Sequence, residues 1–461
     1  MRGKVKRILF RDVDAIATFG PAGRELRHGW LLVEGGRIAA LGEGSPPAGP
    51  FDEVIPGRDR VMIPGMVNTH HHLYQTLFRA VPGAQDKKLF DWLVFLYERW
   101  RGIDEDAVRT STIVGCMELL LSGCTTTTDH LYLFPRGRRD LINVEIEAEL
   151  EVGIRFHPTR GSMSLSRDEG GLPPPDVVQT EEEILADSAR LIEKRHDPTF
   201  GAMVRIALAP CSPFSVTREL MRETAELARE HGVLLHTHLA ETVDEERFCI
   251  ERFGMRPVDY LEDVGWLASD VWLAHLVHVT PDDIRRLARA GVGMAHCPSS
   301  NMLLGSGIAP VVEMLAAGMA VGLAVDGSAS NDASNMIREA RQAMLLARVK
   351  YGAEAMSARD ALALATMGGA RVLHRDKELG SLEPGKCADL VLFDLSELAF
   401  AGAADPVAAL VHCGAQYADL VMVNGAIRVR GGEFVDSRLY AHIPRQREIA
   451  ARLAGEGSGG R

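Results

Sequence analysis

Short apolar runs alternate with amphipathic stretches through the middle of the chain. The runs are Val61–His70, Cys124–Asp129, Ile154–His157, Val204–Pro210, Val233–His238, Val271–His275, Val292–His296 and Val321–Asp326. Runs this short, bounded by turn residues, read as buried strands. Between them lie helical patterns such as Asp104–Leu121, closed by Gly123, and Arg218–His231. Another spans Ser357–Ala365, with Ser357 and Asp360 spaced as a capping box. Strand–helix units in this number and length, over residues 61–374, predict a (β/α)8 TIM barrel of the α/β class. A doubly wound sheet is the competing arrangement. Residues 1–60 alternate instead like exposed strands, punctuated by Gly35-Gly36 and Pro46-Pro47. That texture returns from about residue 375 to 461, with an Asn424-Gly425 hairpin turn and a terminal helix. The two ends are expected to meet as one small β-sandwich domain.

The barrel reading is favoured by where the polar residues fall. His70, Asp129, His157, His238, His275, His296 and Asp326 sit at or beside the C-terminal ends of the runs. Barrel strand C-termini converge on one face, where active sites are built. Histidines serving only local structure have no reason to track strand ends.

Composition narrows the picture further. The chain has 461 residues, 46% of them hydrophobic and 25% charged, which suits a large folded core. A formal net charge of −12 argues against nucleic acid or an anionic membrane as partner. The 7 cysteines include no CxxC and suggest no disulfide framework. The basic N-terminus is broken by Arg11, Asp12 and Asp14, unlike a cleavable signal, and no apolar run reaches membrane-spanning length. These features point to the cytoplasm.

Four motifs carry candidate chemistry. In Asn68-Thr69-His70-His71-His72, His70 and His72 share one side of an extended chain and can bind one metal, whereas His71 faces away. In His236-Thr237-His238-Leu239-Ala240-Glu241, His238 closes a strand and Glu241 follows on the loop, placed to move a proton or to begin a helix. His236 lies one layer deeper, suited to packing or to supporting a ligand. Trp272-Leu273-Ala274-His275 ends on a histidine that is a ligand candidate or a satisfied core residue. Asp326 ends Val321–Asp326 and, if buried, must be paired or bound to metal.

In this order the motifs resemble the amidohydrolase superfamily, and the resemblance extends over essentially the whole chain. It implies that His70, His72, His238 and Asp326 hold one divalent metal, usually Zn2+, with Fe2+ as the alternative. It further implies catalytic roles for Glu241 as proton shuttle, His275 as the group that orients or polarises the water, and Asp326 as its base. The fourth strand ends Leu208-Ala209-Pro210-Cys211, without the Lys or Glu of binuclear members, so the chain resembles the mononuclear deaminase branch. Cys211 is then a soft ligand or a buried bystander. Val61–Asn68, His296–Asn301 and Glu383–Leu390 are similar to other stretches of this branch.

Several segments resemble the 8-oxoguanine deaminases. They include His72–Leu77, Leu89–Leu93, Asp129–Tyr132, Ala209–Ser215 and Asp326–Asp332. The implied reaction adds water to the amino-bearing carbon of a heterocycle and releases ammonia, converting 8-oxoguanine to urate. Hydroxytriazine, pterin or guanine substrates are the alternatives, and an inactive barrel scaffold is the non-enzymatic one. Gln75, Arg160 and Trp92 are candidate substrate contacts: an amide for a ring edge, a guanidinium for a ring oxygen and an indole to cover the ring. Their structural alternatives are a helix cap, an ion pair and core packing. A small-molecule substrate is the expected partner, and a homodimer is compatible with the resemblance.

Overall fold

A computed structural model of the protein describes residues 5–138 and 140–455. Eight parallel strands pair in chain order: Met66–Asn68, Cys124–Leu131, Arg155–Ser162, Ala207–Pro210, Leu234–Leu239, Val271–His275, Gly293–His296 and Val321–Leu323. The eighth returns to the first. Thr69 N–H donates to Leu323 O at 3.1 Å and Asp326 N–H to His70 O at 3.2 Å. Asn68 Oδ1 accepts from Val325 N–H at 3.0 Å. These bonds close the expected (β/α)8 barrel.

A separate mixed sheet of nine strands joins both ends of the chain. Its seam pairs Arg60–Pro64 antiparallel with Leu390–Asp394, setting Ile63 opposite Val391. The apolar run Val61–His70 is therefore not one strand. It leaves the small sheet at Pro64 and enters the barrel at Met66. At Gly65 a Cβ would stand 2.0 Å from Thr125 Oγ1, so only glycine lets the chain pass this close. Both halves are buried, which is why hydropathy does not reveal the break.

Two strand ends also differ from expectation. The second strand continues beyond Asp129 to Leu131. The third begins at Arg155, so His157 lies near its start, at the barrel floor, with its ring 6.0 Å from that of Trp272. His157 is thus corrected from a strand-end residue to a core one.

Local signals set the helices. Asp104 caps Glu105–Leu121 by accepting from Ala107 N–H at 2.9 Å. Arg218–His231 begins after a Thr217 cap and stops at Gly232. The Ser357/Asp360 capping box forms as read. The terminal helix His442–Ala454 packs on the barrel: Gln446 Nε2 donates to Thr76 Oγ1 at 3.0 Å, and Ile449 and Leu453 enter the barrel's core. Among the described residues no helix is long and apolar enough to cross a membrane.

Candidate active site

The first strand ends at Asn68, and the chain that follows brings His70 and His72 over the barrel mouth, ring centroids 4.7 Å apart. His71 points the other way, with Nε2 3.0 Å from Ser334 Oγ. His238 is the last but one residue of the fifth strand, His275 ends the sixth, and Asp326 lies just past the eighth. All five side chains are buried.

Hydrogen bonds assign the tautomers of this cluster. His236 Nδ1 lies 2.9 Å from Trp272 O. A carbonyl only accepts, so His236 carries its proton on Nδ1 and its Nε2 is an acceptor. His70 Nδ1, 2.7 Å away, must then donate to it. His72 Nδ1 donates to His130 O at 2.8 Å, and His238 Nδ1 to Cys211 O at 2.6 Å. Each ligand candidate thus turns a bare Nε2 inward. His72 Nε2 and His238 Nε2 are 3.2 Å apart. Asp326 Oδ1 lies 3.3 Å from His70 Nε2 and 3.4 Å from His72 Nε2. Burial lowers the pKa of all three histidines, that of His238 to about 3, so protons do not separate these lone pairs at neutral pH. Among the described residues, His70 Nε2 has no hydrogen-bond partner. Buried lone pairs facing one another and a carboxylate repel unless a cation lies between them. The donor set therefore fits one divalent metal, and nitrogen with oxygen donors suits zinc.

His236 is the support that sequence spacing suggests. His236→Ala leaves the His70 Nδ1–H without its acceptor. Zinc affinity is expected to fall about 10–100-fold, read by competition with a chelator.

Beside the donor set, His275 Nδ1 lies 2.9 Å from Asn301 Oδ1 of the short helix Pro298–Leu303 after the seventh strand. Its Nε2 stands 3.6 Å from Glu241 Oε2 and 3.9 Å from Asp326 Oδ2. Burial opposes charge on His275, but the two carboxylates outweigh it and raise its pKa. Burial raises the pKa of Glu241, opposed by His275. The backbone here is strained: Ala240, His275, Leu276 and Asp326 have φ of 53°, 76°, 44° and 60°. Such conformations in side-chain-bearing residues cost about 1–3 kcal/mol each and concentrate at functional sites.

A cavity opens over this cluster. Gln75 lines it from the short helix Leu73–Phe78, and its Oε1 accepts from Ala329 N–H at 3.3 Å. Gln75 makes no helix-capping bond. A Cβ at residue 327 would lie 2.0 Å from Gln75 Oε1, so Gly327 makes room for that amide. Trp92 also lines the cavity, from the helix Leu89–Trp100.

Arg160 does not reach the site. Its guanidinium is tied to Asp187 at 2.9 Å, Gln179 at 2.8 Å and Gly161 O, and it lies over the Phe134 ring. The expectation of a substrate contact there is corrected: an acid of the helix Glu181–Arg195 takes the arginine. Asp129 also stays apart, accepting from Leu73 N–H at 2.5 Å and so fixing the chain just after His72. His296 is buried without lining the cavity. Cys211 lines it, but burial pushes its thiol up to about 12, leaving a neutral thiol 4.0 Å from His238 Nδ1.

Two lining or adjoining residues escaped the sequence reading. His130 stacks on His238 at 4.9 Å, and ligand atoms of His70, His72, His130 and His238 all lie within 4.8 Å of one another. Tyr132 lines the cavity with its ring 5.2 Å from that of His72. Their signal is in Asp129-His130-Leu131-Tyr132, but the apolar run stops at Asp129 while the strand continues to Leu131.

A barrel carrying such a donor set at its mouth is the architecture of metal-dependent hydrolases, and comparison with known proteins agrees. Residues 61–428 match the amidohydrolase family model, so the chain belongs to that family. It is 54% identical over 95% of its length, and 98% of the relative's, to 8-oxoguanine deaminase from Pseudomonas aeruginosa. Hydroxydechloroatrazine ethylaminohydrolase from Pseudomonas sp. strain ADP is 37% identical over 92% of this chain and 91% of that one. The crystal structure of atrazine chlorohydrolase from Arthrobacter aurescens TC1, complexed with zinc, superposes with a TM-score of 0.92 at 34% identity, covering 96% of this chain and all of the other.

Proposed function

We propose that this chain is a zinc-dependent aminohydrolase that converts 8-oxoguanine to urate and ammonia. The observation that carries the reading is the inward-facing set of bare nitrogens on His70, His72 and His238 with Asp326, beneath a cavity at the barrel mouth. The extensive identity to the Pseudomonas aeruginosa deaminase supports the substrate.

When bound, zinc lowers the pKa of water toward about 7 and acts as a Lewis acid. The chain's own residues supply the rest. Asp326 accepts a proton from the attacking water. Glu241 delivers one to the ring nitrogen beside the amino-bearing carbon, a role suited to a carboxyl whose pKa burial raises. His275, its pKa raised by the two neighbouring carboxylates, donates from Nε2 to the oxygen that gains charge. As the tetrahedral carbon collapses, Asp326 passes its proton to the amino group, which leaves as ammonia, and Glu241 takes the proton of the added oxygen, leaving a carbonyl. Gln75, Tyr132 and Cys211 line the cavity and carry groups able to read polar ring edges. Trp92, Leu93 and Phe214 offer flat or apolar surface to the ring. The free cysteines suit a reducing cytoplasm.

Ammonia release measured over 8-oxoguanine, guanine, isoxanthopterin and a hydroxylated triazine tests the reading. The highest kcat/KM is expected on 8-oxoguanine, with urate and ammonia formed one to one. A higher value on the pterin or triazine contradicts the substrate assignment.

A further inference from the structure

A second cavity, of about 810 Å³, adjoins the first on the same face of the barrel. It is lined by Ala80, Val81 and Gln85 after the first strand, Leu303 after the seventh and Asp332 after the eighth. The two cavities share three residues, Trp92, Leu304 and Ser330. These three therefore stand between the cavity at the metal cluster and the neighbouring one, an outer vestibule. Trp92 and Ser330 are 4% exposed and Leu304 9%, whereas Leu303, on the vestibule side alone, is 53% exposed.

The partition is held in place. Ser330 Oγ accepts from Ser300 Oγ at 2.9 Å and donates to Gly327 O at 3.2 Å. Two residues after Leu304, Ser306 Oγ donates to Glu241 Oε1 at 3.4 Å, and Ser306 O accepts from His278 Nε2 at 2.9 Å. Gly305 and Gly307, with φ of 64° and 129°, flank that serine. Leu304 thus sits on a turn anchored to the proton shuttle itself.

We infer that Trp92 and Leu304 restrict this enzyme to free heterocyclic bases and exclude nucleosides. A ring with its reacting carbon against Glu241 and Asp326 fills the inner chamber. A sugar on a ring nitrogen directed toward the vestibule meets the partition on the way. Shortening Leu304 joins the two cavities and lets a sugar extend outward while the ring keeps its place. The inference rests on the proposed purine substrate and adds the exclusion of ring-nitrogen substituents.

The experiment compares kcat/KM on 8-oxoguanine and on 8-oxoguanosine for the wild type, Leu304→Ala, Trp92→Phe and Leu303→Ala. The wild type is expected to deaminate the base and to leave the nucleoside at least about 100-fold behind. In Leu304→Ala the nucleoside-to-base ratio is expected to rise about tenfold or more, the scale that a few buried methyl groups command. Trp92→Phe tests the same wall with a milder change and is expected to raise the ratio in the same direction. Leu303→Ala, which alters only the vestibule, is expected to leave the ratio unchanged. Zinc content and melting temperature confirm that each variant is folded. Wild-type turnover of the nucleoside at a rate comparable to the base overturns the inference, as does an unchanged ratio in folded Leu304→Ala and Trp92→Phe. A wild type that is inactive on 8-oxoguanine, yet active on another base of the panel, overturns the substrate reading instead; the partition is then tested with the ring-nitrogen riboside of that base.

Discussion

Glu241→Gln keeps its zinc and loses about 10²–10⁴-fold in kcat, the contribution of a positioned acid–base group. The substitution preserves size and the acceptor for Ser306 Oγ, which lies 3.4 Å from Glu241 Oε1. It removes the transferable proton. Glu241 Oε2 faces His275 Nε2 at 3.6 Å, and no zinc-ligand candidate lies closer to it among the ion pairs of the site, so metal content is expected to stay near one per chain. The loss should appear in kcat more than in KM, because the proton moves only as the carbon becomes tetrahedral. Turnover near that of the wild type would remove Glu241 from the mechanism.

Asp326→Asn is expected to do more. The residue faces the metal site and His275 at once: Oδ1 lies 3.3 Å from His70 Nε2, and Oδ2 lies 3.9 Å from His275 Nε2. Replacing it leaves three imidazoles with no anionic donor, and also removes the acceptor for the proton of the attacking water. It withdraws one of the two carboxylates that raise the pKa of His275. Losing the proton acceptor alone costs about 10²–10⁴-fold, so a fall in kcat/KM beyond about 10⁴-fold is expected when metal retention fails as well. Steady-state assays with added zinc separate the two contributions. Added metal should restore occupancy in part and activity hardly at all.

Much of this site is legible in the chain because metal chemistry imposes spacing. His70 and His72 are two residues apart, so they reach one side of an extended segment, and His238, His275 and Asp326 close apolar runs whose ends must converge in a barrel. What escaped reading was set by packing that pattern does not encode. The turn at Gly65 divides one apolar run between two sheets because both sides of it are buried. His130 and Tyr132 were passed over because the polar Asp129 looks like a strand end, yet backbone pairing carries the strand to Leu131, with His130 opposite Thr159. Arg160 follows an apolar run like the true site residues, and only the fold shows that Asp187 waits on the neighbouring helix Glu181–Arg195. His157 fails in the same way, since a histidine near a strand's start looks like one at its end when the apolar run stops short and the strand continues to Ser162. The terminal helix reads as an appendage of the small domain, but its partner Thr76 is hundreds of residues away and lies on the barrel.

X-ray absorption at the zinc edge on the purified holoprotein tests the central claim most directly. The assignment of His70, His72, His238 and Asp326 predicts a single zinc per chain, with imidazole nitrogen and carboxylate or water oxygen at about 2.0–2.2 Å. A sulfur shell near about 2.3 Å would make Cys211 a ligand, and a second metal at about 3.5–4 Å would make the site binuclear. Either result contradicts the account.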